Sequence, residues 1–481
     1  MEENRIRKNY IYNVSYQILI LIIPLITMPY ISRVLGADGI GTVSYAQSVV
    51  AYFTLFATMG ISTYGQREIS YVQTSREKRS LVFWETKLLG FITAAAVLVI
   101  YFIFLLIEKD ARLYLILSMS VFAVLVDVTW FFQGMEEFGS IVIRNMLVKI
   151  IGLIFVFIFV KTKEDIYKYA FSLVFFTLLG NLSMWAELPK HIDFVPIKSL
   201  KPFRSLSTVI SLFVPTIAIQ VYTVLDKTML GLITGSAFEN GYYEQAVMIA
   251  KMALAIVTAL GTVLIPRIGF YFEQKDTENI KRLMYRGYKF VWFIGIPMCF
   301  GMIAVSKNFV PWFYGPGFDK VSELLSVLSF LILAIGINNV TGMQYLIPTK
   351  QQNIFTKTVI IGAVTNMCLN AVLIYFFQSV GAAIASVIAE TVIAAVQLYI
   401  VRNEFSWKEI IKSGKNYFIS GAVMFLLLIF IGARLSSSII NTLLMIILGG
   451  AVYFALLLLL KDEFLLSNIK SILIKLGKSN E

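Results

Sequence analysis

The sequence predicts an all-α polytopic membrane protein of about fourteen transmembrane helices. Three observations carry that expectation. The 481 residues are 58% hydrophobic and only 15% charged, mean hydropathy is +0.78, and apolar runs recur from one end of the chain to the other. A soluble domain carries about 25% charged residues, so a water-facing surface here would lack the polar atoms to cover it. Lipid is the solvent for most of the exterior. The net charge of +12 does not point to nucleic acid as a partner. Its lysines and arginines fall in short clusters between apolar runs, not on a basic tail or a soluble amphipathic helix.

The elements follow in order. Crossing about 30 Å of hydrocarbon takes about 20 residues. Qualifying segments lie near 10–32, 41–63, 81–107, 113–133, 141–160, 167–188, 207–231, 242–265, 286–310, 321–346, 354–377, 380–401, 416–434 and 438–460. The first run, Ile18 to Ile31, contains Pro24 and Pro29, lacks a small-residue cleavage site and leads straight into a second span. It reads as the first transmembrane helix, not a cleaved signal. Cys299 and Cys368 both fall inside apolar spans, which excludes a disulfide framework and reads them as small buried hydrophobes. Connecting segments are too short for a folded extramembrane domain.

Charge placement tests this count independently. With the N-terminus cytoplasmic, thirty of the 41 Lys and Arg fall in inner segments and nine in outer ones, leaving Lys227 and Lys251 within spans. A missed or invented helix would scramble that bias. Both termini are expected in the cytoplasm, with the protein in the cytoplasmic membrane.

A weak internal repeat suggests architecture. Gly41-Thr-Val-Ser-Tyr-Ala46 has a counterpart in Gly241-Tyr-Tyr-Glu-Gln-Ala246, and at the same offset Arg67 falls on Arg267. Six spans return the chain to the same side, so spans 1–6 (residues 1–195) and 7–12 (196–403) are expected as two parallel lobes, with helices 13–14 and a cytoplasmic tail in 404–481. Pro24, Pro29 and Pro215 are expected to bend the first helix of each lobe.

Several segments resemble a known family. Arg33-Val-Leu-Gly-Ala-Asp-Gly-Ile-Gly41, Tyr64-Gly-Gln-Arg-Glu-Ile69 and Asp127-Val-Thr-Trp-Phe-Phe-Gln-Gly-Met-Glu136 with Ile143-Arg-Asn145 are similar to signatures of polysaccharide flippases (Wzx type). These belong to the multidrug/oligosaccharidyl-lipid/polysaccharide exporter superfamily. Leu225-Asp-Lys-Thr-Met-Leu-Gly231, Gly241-Tyr-Tyr243, Asn366-Met-Cys-Leu-Asn370, Gly381-Ala-Ala383 and Glu390 extend the resemblance over the chain. The resemblance implies movement of undecaprenyl-diphosphate-linked oligosaccharide between leaflets by alternating access. Capsule, exopolysaccharide or O-antigen synthesis is the implied setting, and a polysaccharide polymerase an implied partner. A lipid II flippase and an ion-coupled multidrug exporter are the alternatives, and spans 13 and 14 favour either flippase over the twelve-span exporters.

Charged groups at membrane depth then become site candidates. A diphosphate-sugar head loses its hydration in hydrocarbon, so such a carrier needs cations in a wet passage. Lys251, about ten residues into its span, lies about 15 Å from the outer end. It reads as a cavity cation or as the structural partner of Glu244 or another carboxylate. The other head-group candidates are Lys227, which with Asp226 reads equally as snorkelling to the interface, Arg33 at the outer mouth, and Arg67, Arg144 and Arg267, which with Asp127 lie near inner helix ends and read equally as topology anchors. Glu390, Asp226, Asp127 and Glu244 are candidates for proton or sodium coupling; Glu390 reads equally as a partner of Lys251 or a protonated core carboxyl. Trp130, Trp185 and Tyr222 could stack on sugars. The chain shows no metal cluster, phosphate loop or catalytic triad, its single histidine, His191, is in an inner loop, and its outer loops are too short for a membrane polymerase or ligase. No enzyme activity and no cofactor are expected.

Overall fold

A computed structural model describes residues 2–259 and 261–477, and among them every regular element is helical. The side chains of Pro215 and Tyr222, and Lys478 as a whole, lie outside the described ones. Spans 1 and 2 form one long helix, α1 (Glu2–Thr58), interrupted at Gly36 by φ 70°, a left-handed value that glycine adopts freely. Pro24 and Pro29 lie inside α1 without a comparable break. α2 (Ile61–Tyr71) and α3 (Arg76–Ile107) follow.

The expected helix over 113–133 is instead three pieces, α4 (Ala111–Leu117), α5 (Met119–Val126) and α6 (Thr129–Gly134). The second interruption has a clear cause. The Asp127 carboxylate accepts from the Thr129 N–H at 2.9 Å and from its hydroxyl, a local bond that competes with the helical ladder. α7 (Phe138–Phe159), α8 (Ile166–Ser183), α9 (Leu206–Thr234) and α10 (Ala237–Thr258) continue the chain.

Then come α11 (Gly261–Glu273), α12 (Thr277–Tyr314), α13 (Asp319–Leu328) and α14 (Phe330–Asn338), the last running into a π-helix over Asn339–Leu346. α15 (Gln352–Ile400) carries expected spans 11 and 12, with its break at Gln378, φ 53°. Two helices fall where loop and tail are expected: α16 (Trp407–Ser413), capped where the Ser406 hydroxyl accepts from the Glu409 N–H, and α19 (Glu463–Gly477). Between them, α17 (Lys415–Gly432) and α18 (Ile439–Leu459) are spans 13 and 14. Helix thus covers the expected spans among the described residues, and ten stretches of these are long and apolar enough to cross a bilayer. Two of those ten, Leu19–Tyr71 and Gln352–Ile400, hold two spans each.

Two compact units make up the chain. Unit 1 runs to Gly231 and includes Ser236–Gly241; unit 2 holds Leu232–Gly235 and everything from Tyr242. Unit 1 has a core around Val43, Val50, Tyr101, Leu117 and Val174. In unit 2, α17 and α18 bury Met424, Leu428, Met445 and Tyr453 against α12 residues such as Ile296 and Ala304. Their other faces are apolar and exposed, with Ile447 at 71% and Leu459 at 77%. A continuous apolar exterior of this kind is stable only against lipid.

Candidate functional site

At one end of unit 1 the strongest sequence motifs meet each other. A Cβ on Gly65 would lie 2.4 Å from the Trp130 ring, and one on Gly134 would lie 2.7 Å from the Gln66 carbonyl oxygen. The Gln73 side chain donates to the Gly134 carbonyl at 2.7 Å. So α2 and α6 lock together through two glycines, and any side chain there forces them apart. Around them Phe83, Trp130, Phe131 and Phe132 are buried. Trp130, 2% exposed, cannot stack on a sugar. Trp185 donates to the Val126 carbonyl at 2.7 Å and lies over an ammonium.

That ammonium belongs to Lys87, which charge counting places among the inner-segment cations. It is 3% exposed on α3. Its Nζ donates to the Asp127 carbonyl at 2.8 Å and sits 5.2 Å and 5.5 Å from the ring centres of Phe91 and Trp185. Cation–π contact and a carbonyl dipole replace part of its lost hydration. A buried cation gives no periodic signal; only its neighbourhood identifies it.

The same end is clasped by arginines. Arg76 makes a bidentate pair with Asp193 at 2.9 Å and donates to the Lys190 and Pro189 carbonyls. Arg79 holds the His191 carbonyl. The Arg76 guanidinium keeps the Asp193 carboxyl below its ordinary pKa. His191 itself lies 3.3 Å from Glu137.

The expected site residues of unit 1 occupy separate settings. Arg67 pairs with the adjacent Glu68 at 2.9 Å. Arg144 donates to the Asn145 and Asn181 side-chain oxygens, the latter at 2.9 Å, and to the Gly180 carbonyl. Asp127 caps the α6 turn. Arg33 is exposed and donates to the Pro29 carbonyl. Asp226 and Lys227 lie on α9, where the Lys227 carbonyl accepts from the Asn240 side-chain amide at 2.9 Å.

The repeat positions meet as well, all inside unit 1. A Cβ on Gly41 would lie 1.7 Å from the Ala237 carbonyl oxygen, and one on Gly241 would lie 1.9 Å from the Ala37 carbonyl oxygen. Positions 200 apart thus meet the same kind of neighbour. Backbone this close leaves no room for any side chain, which is why glycine stands at both positions.

Unit 2 carries its polarity differently. The Asn338 side chain donates to the Glu390 carboxylate and to its carbonyl at 3.1 Å. The Gln397 side chain donates to the Thr358 hydroxyl at 3.0 Å, Asn370 donates to Asn366 at 3.0 Å, and the Tyr288 and Thr341 hydroxyls bond at 2.8 Å. The side-chain oxygens of Gln245, Asn338, Gln344 and Gln397 are buried without a hydrogen bond. Glu244 and Lys251 share α10, Lys251 and Arg267 are exposed, and Cys368 is exposed where a buried thiol was expected. A cavity of about 360 Å³ opens among α10, α12, α17 and α18, lined by Ile249, Met298, Met302, Leu428, Ile446 and other small or apolar residues.

Comparison with known proteins adds a family. A sequence profile described as "Polysaccharide biosynthesis protein" matches residues 6–272. A "Putative O-antigen transporter" of Escherichia coli (strain K12) is 24% identical over 404 residues, 83% of this chain and 97% of that protein. Among solved structures, "Lipid II flippase MurJ, inward closed conformation" superposes with a TM-score of 0.73 at 18% identity, covering 94% of this chain and 99% of that one. An inward-facing multidrug resistance MATE family transporter gives 0.60 at 14% identity, covering 82% and 99%. At these identities the two structures share a fold with this chain and nothing finer.

Proposed function

The chain belongs to the polysaccharide biosynthesis protein family, as a Wzx-type polysaccharide flippase of the multidrug/oligosaccharidyl-lipid/polysaccharide exporter superfamily, and from that premise we propose that it carries undecaprenyl-diphosphate-linked oligosaccharide units from the cytoplasmic to the outer leaflet by alternating access. The observation that supports a lipid-linked cargo most directly is the apolar cavity of unit 2. Its lining, apolar but for Ser306 and Thr442, suits a prenyl chain better than a sugar. For the diphosphate head we propose cations as the ligands: Lys251 and Lys227 first, with Arg33, Arg67, Arg144 and Arg267. They supply the charge that a desolvated diphosphate requires.

Moving about two negative charges toward the positive side releases roughly 2.3 kcal/mol per charge per 100 mV, so the membrane potential favours export. Proton or sodium coupling is placed on Glu390, supported by Asp226, Asp127 and Glu244. The membrane is the cytoplasmic one, with both termini inside, as the lysine and arginine bias indicates. A polysaccharide polymerase receives the product.

Deletion of the gene, followed by analysis of accumulated lipid-linked sugars and their leaflet, tests this reading. Inner-leaflet build-up of a repeat unit for capsule, exopolysaccharide or O-antigen is expected. Build-up of lipid II instead would transfer the protein to peptidoglycan synthesis.

A further inference from the structure

We propose that a lysine-lined cavity at one end of unit 2 binds the phosphate of an anionic phospholipid headgroup. The cavity, about 490 Å³, lies where α12, α16, α17 and the corner from α18 to α19 converge. Lys289, Lys412, Lys415 and Lys461 line it, with Ser413 and Asn416 as neutral donors. Among the described residues, none of these four lysines lies within 4.0 Å of a carboxylate oxygen.

Three acids, Glu409, Asp462 and Glu463, share the lining, so the lysines outnumber them by one. The Asp462 carboxylate accepts from the Tyr417 hydroxyl at 3.2 Å and from the Leu465 N–H at 3.0 Å, capping α19. The adjoining cavity, which shares Glu409, is balanced: there Lys281, Arg402 and Lys408 meet Glu278, Glu404 and Glu409, one acid per base.

Lys461 reaches this wall from the turn that ends α18. It has φ 51°, its N–H donates to the Leu458 carbonyl and the Asp462 N–H donates to the Leu457 carbonyl, a left-handed helix cap.

The membrane is the source of the anion because the cavity borders apolar surface. α16 presents Trp407 at 50% and Ile411 at 57% exposure, and the end of α18 presents Leu459. Phe464 forms part of the wall. A phosphodiester entering from the interface would place its acyl chains along these side chains while its phosphate met the lysines, as basic groups at a membrane surface do.

Mass spectrometry of the intact full-length protein, released from micelles after incubation with phosphatidylglycerol or phosphatidylcholine, tests the proposal. No glycolipid is present in the assay, so its outcome is separate from that of the flippase reading. Wild type should retain phosphatidylglycerol over phosphatidylcholine, and each of Lys412→Gln, Lys415→Gln and Lys461→Gln should lower that preference about fivefold. Lys281→Gln and Lys408→Gln, in the balanced cavity, should leave it unchanged. No preference in wild type, which needs no variant to fold, would overturn the proposal. So would an unchanged preference in the Lys412, Lys415 and Lys461 variants. Protection of wild type against heating by inorganic phosphate or glycerol phosphate equal to that by phosphatidylglycerol would overturn the lipid as source.

Discussion

Unit 1 buries charge, and unit 2 buries amides. The buried polar groups of unit 1 include Arg79, Lys87, Asp165 and Glu239, with Asn240 as its one buried carboxamide among the described residues. Unit 2 buries Gln245, Asn308, Asn338, Gln344, Asn366, Asn370 and Gln397, and, among the described residues, Asp462 as its one charge. The cations of unit 1 rest on carbonyl oxygens and aromatic faces, an arrangement that cannot rearrange without exposing an uncompensated charge. The amides of unit 2 leave acceptors unused. Each unused acceptor costs about 1–3 kcal/mol, and a neutral amide can change partners cheaply. Unit 1 therefore carries its buried polarity as charges held on carbonyls and rings, and unit 2 as neutral amides.

The largest expected effect lies in unit 2. Lys251→Ala should abolish transport while insertion and thermal stability stay near wild type; full export in the variant would remove Lys251 from the carrier site. In unit 1 the largest effect should be on folding instead. Gly65→Val drives a side chain into Trp130 and should cost about 3 kcal/mol or more, read as a loss of folded protein in detergent melts. Lys87→Ala should cost about 2–4 kcal/mol, whereas Lys87→Met, which keeps the stem and drops the charge, should cost clearly less. Equal costs would mean that the ammonium, and not its packing, holds the block together.

Glu390→Gln should shift the pH or sodium dependence of transport while keeping the Asn338 contact. An identical profile would leave Glu390 a structural group. The smallest effect should come from the clasp of unit 1. Because Arg76 depresses the Asp193 pKa, the pair adds stability that is fully present above the unfolded carboxylate value, about 3.9. That stability is lost as pH falls through the lower folded value. Asp193→Asn should flatten the acid limb of a melting-temperature profile slightly, and high salt should do the same to wild type because the pair is exposed.

The helices were legible because lipid imposes one rule on every span: about 20 apolar residues and an internally bonded backbone. The interruptions were less so. Asp127 reads as a charge near an inner helix end, yet its carboxylate accepts from the first N–H of α6, two residues on. Lys87 counts only as an inner-side cation at the start of its span, because hydropathy averages over a window and cannot see one buried ammonium. Trp130 looks available for a sugar until the missing side chain of Gly65 places the two in contact. α16 is marked in the sequence by Ser406 and Glu409, a capping pair that a search for long apolar runs passes over.

Composition and charge order by themselves determined a many-helix membrane protein, because the solvent selects apolar length and the lysine and arginine bias counts the crossings. Only the tertiary structure decided which charges are buried, which glycines let backbones touch, and where lysines gather in excess of acids. Those outcomes depend on residues about 60 to 200 positions apart meeting in space, and packing decides which of them meet.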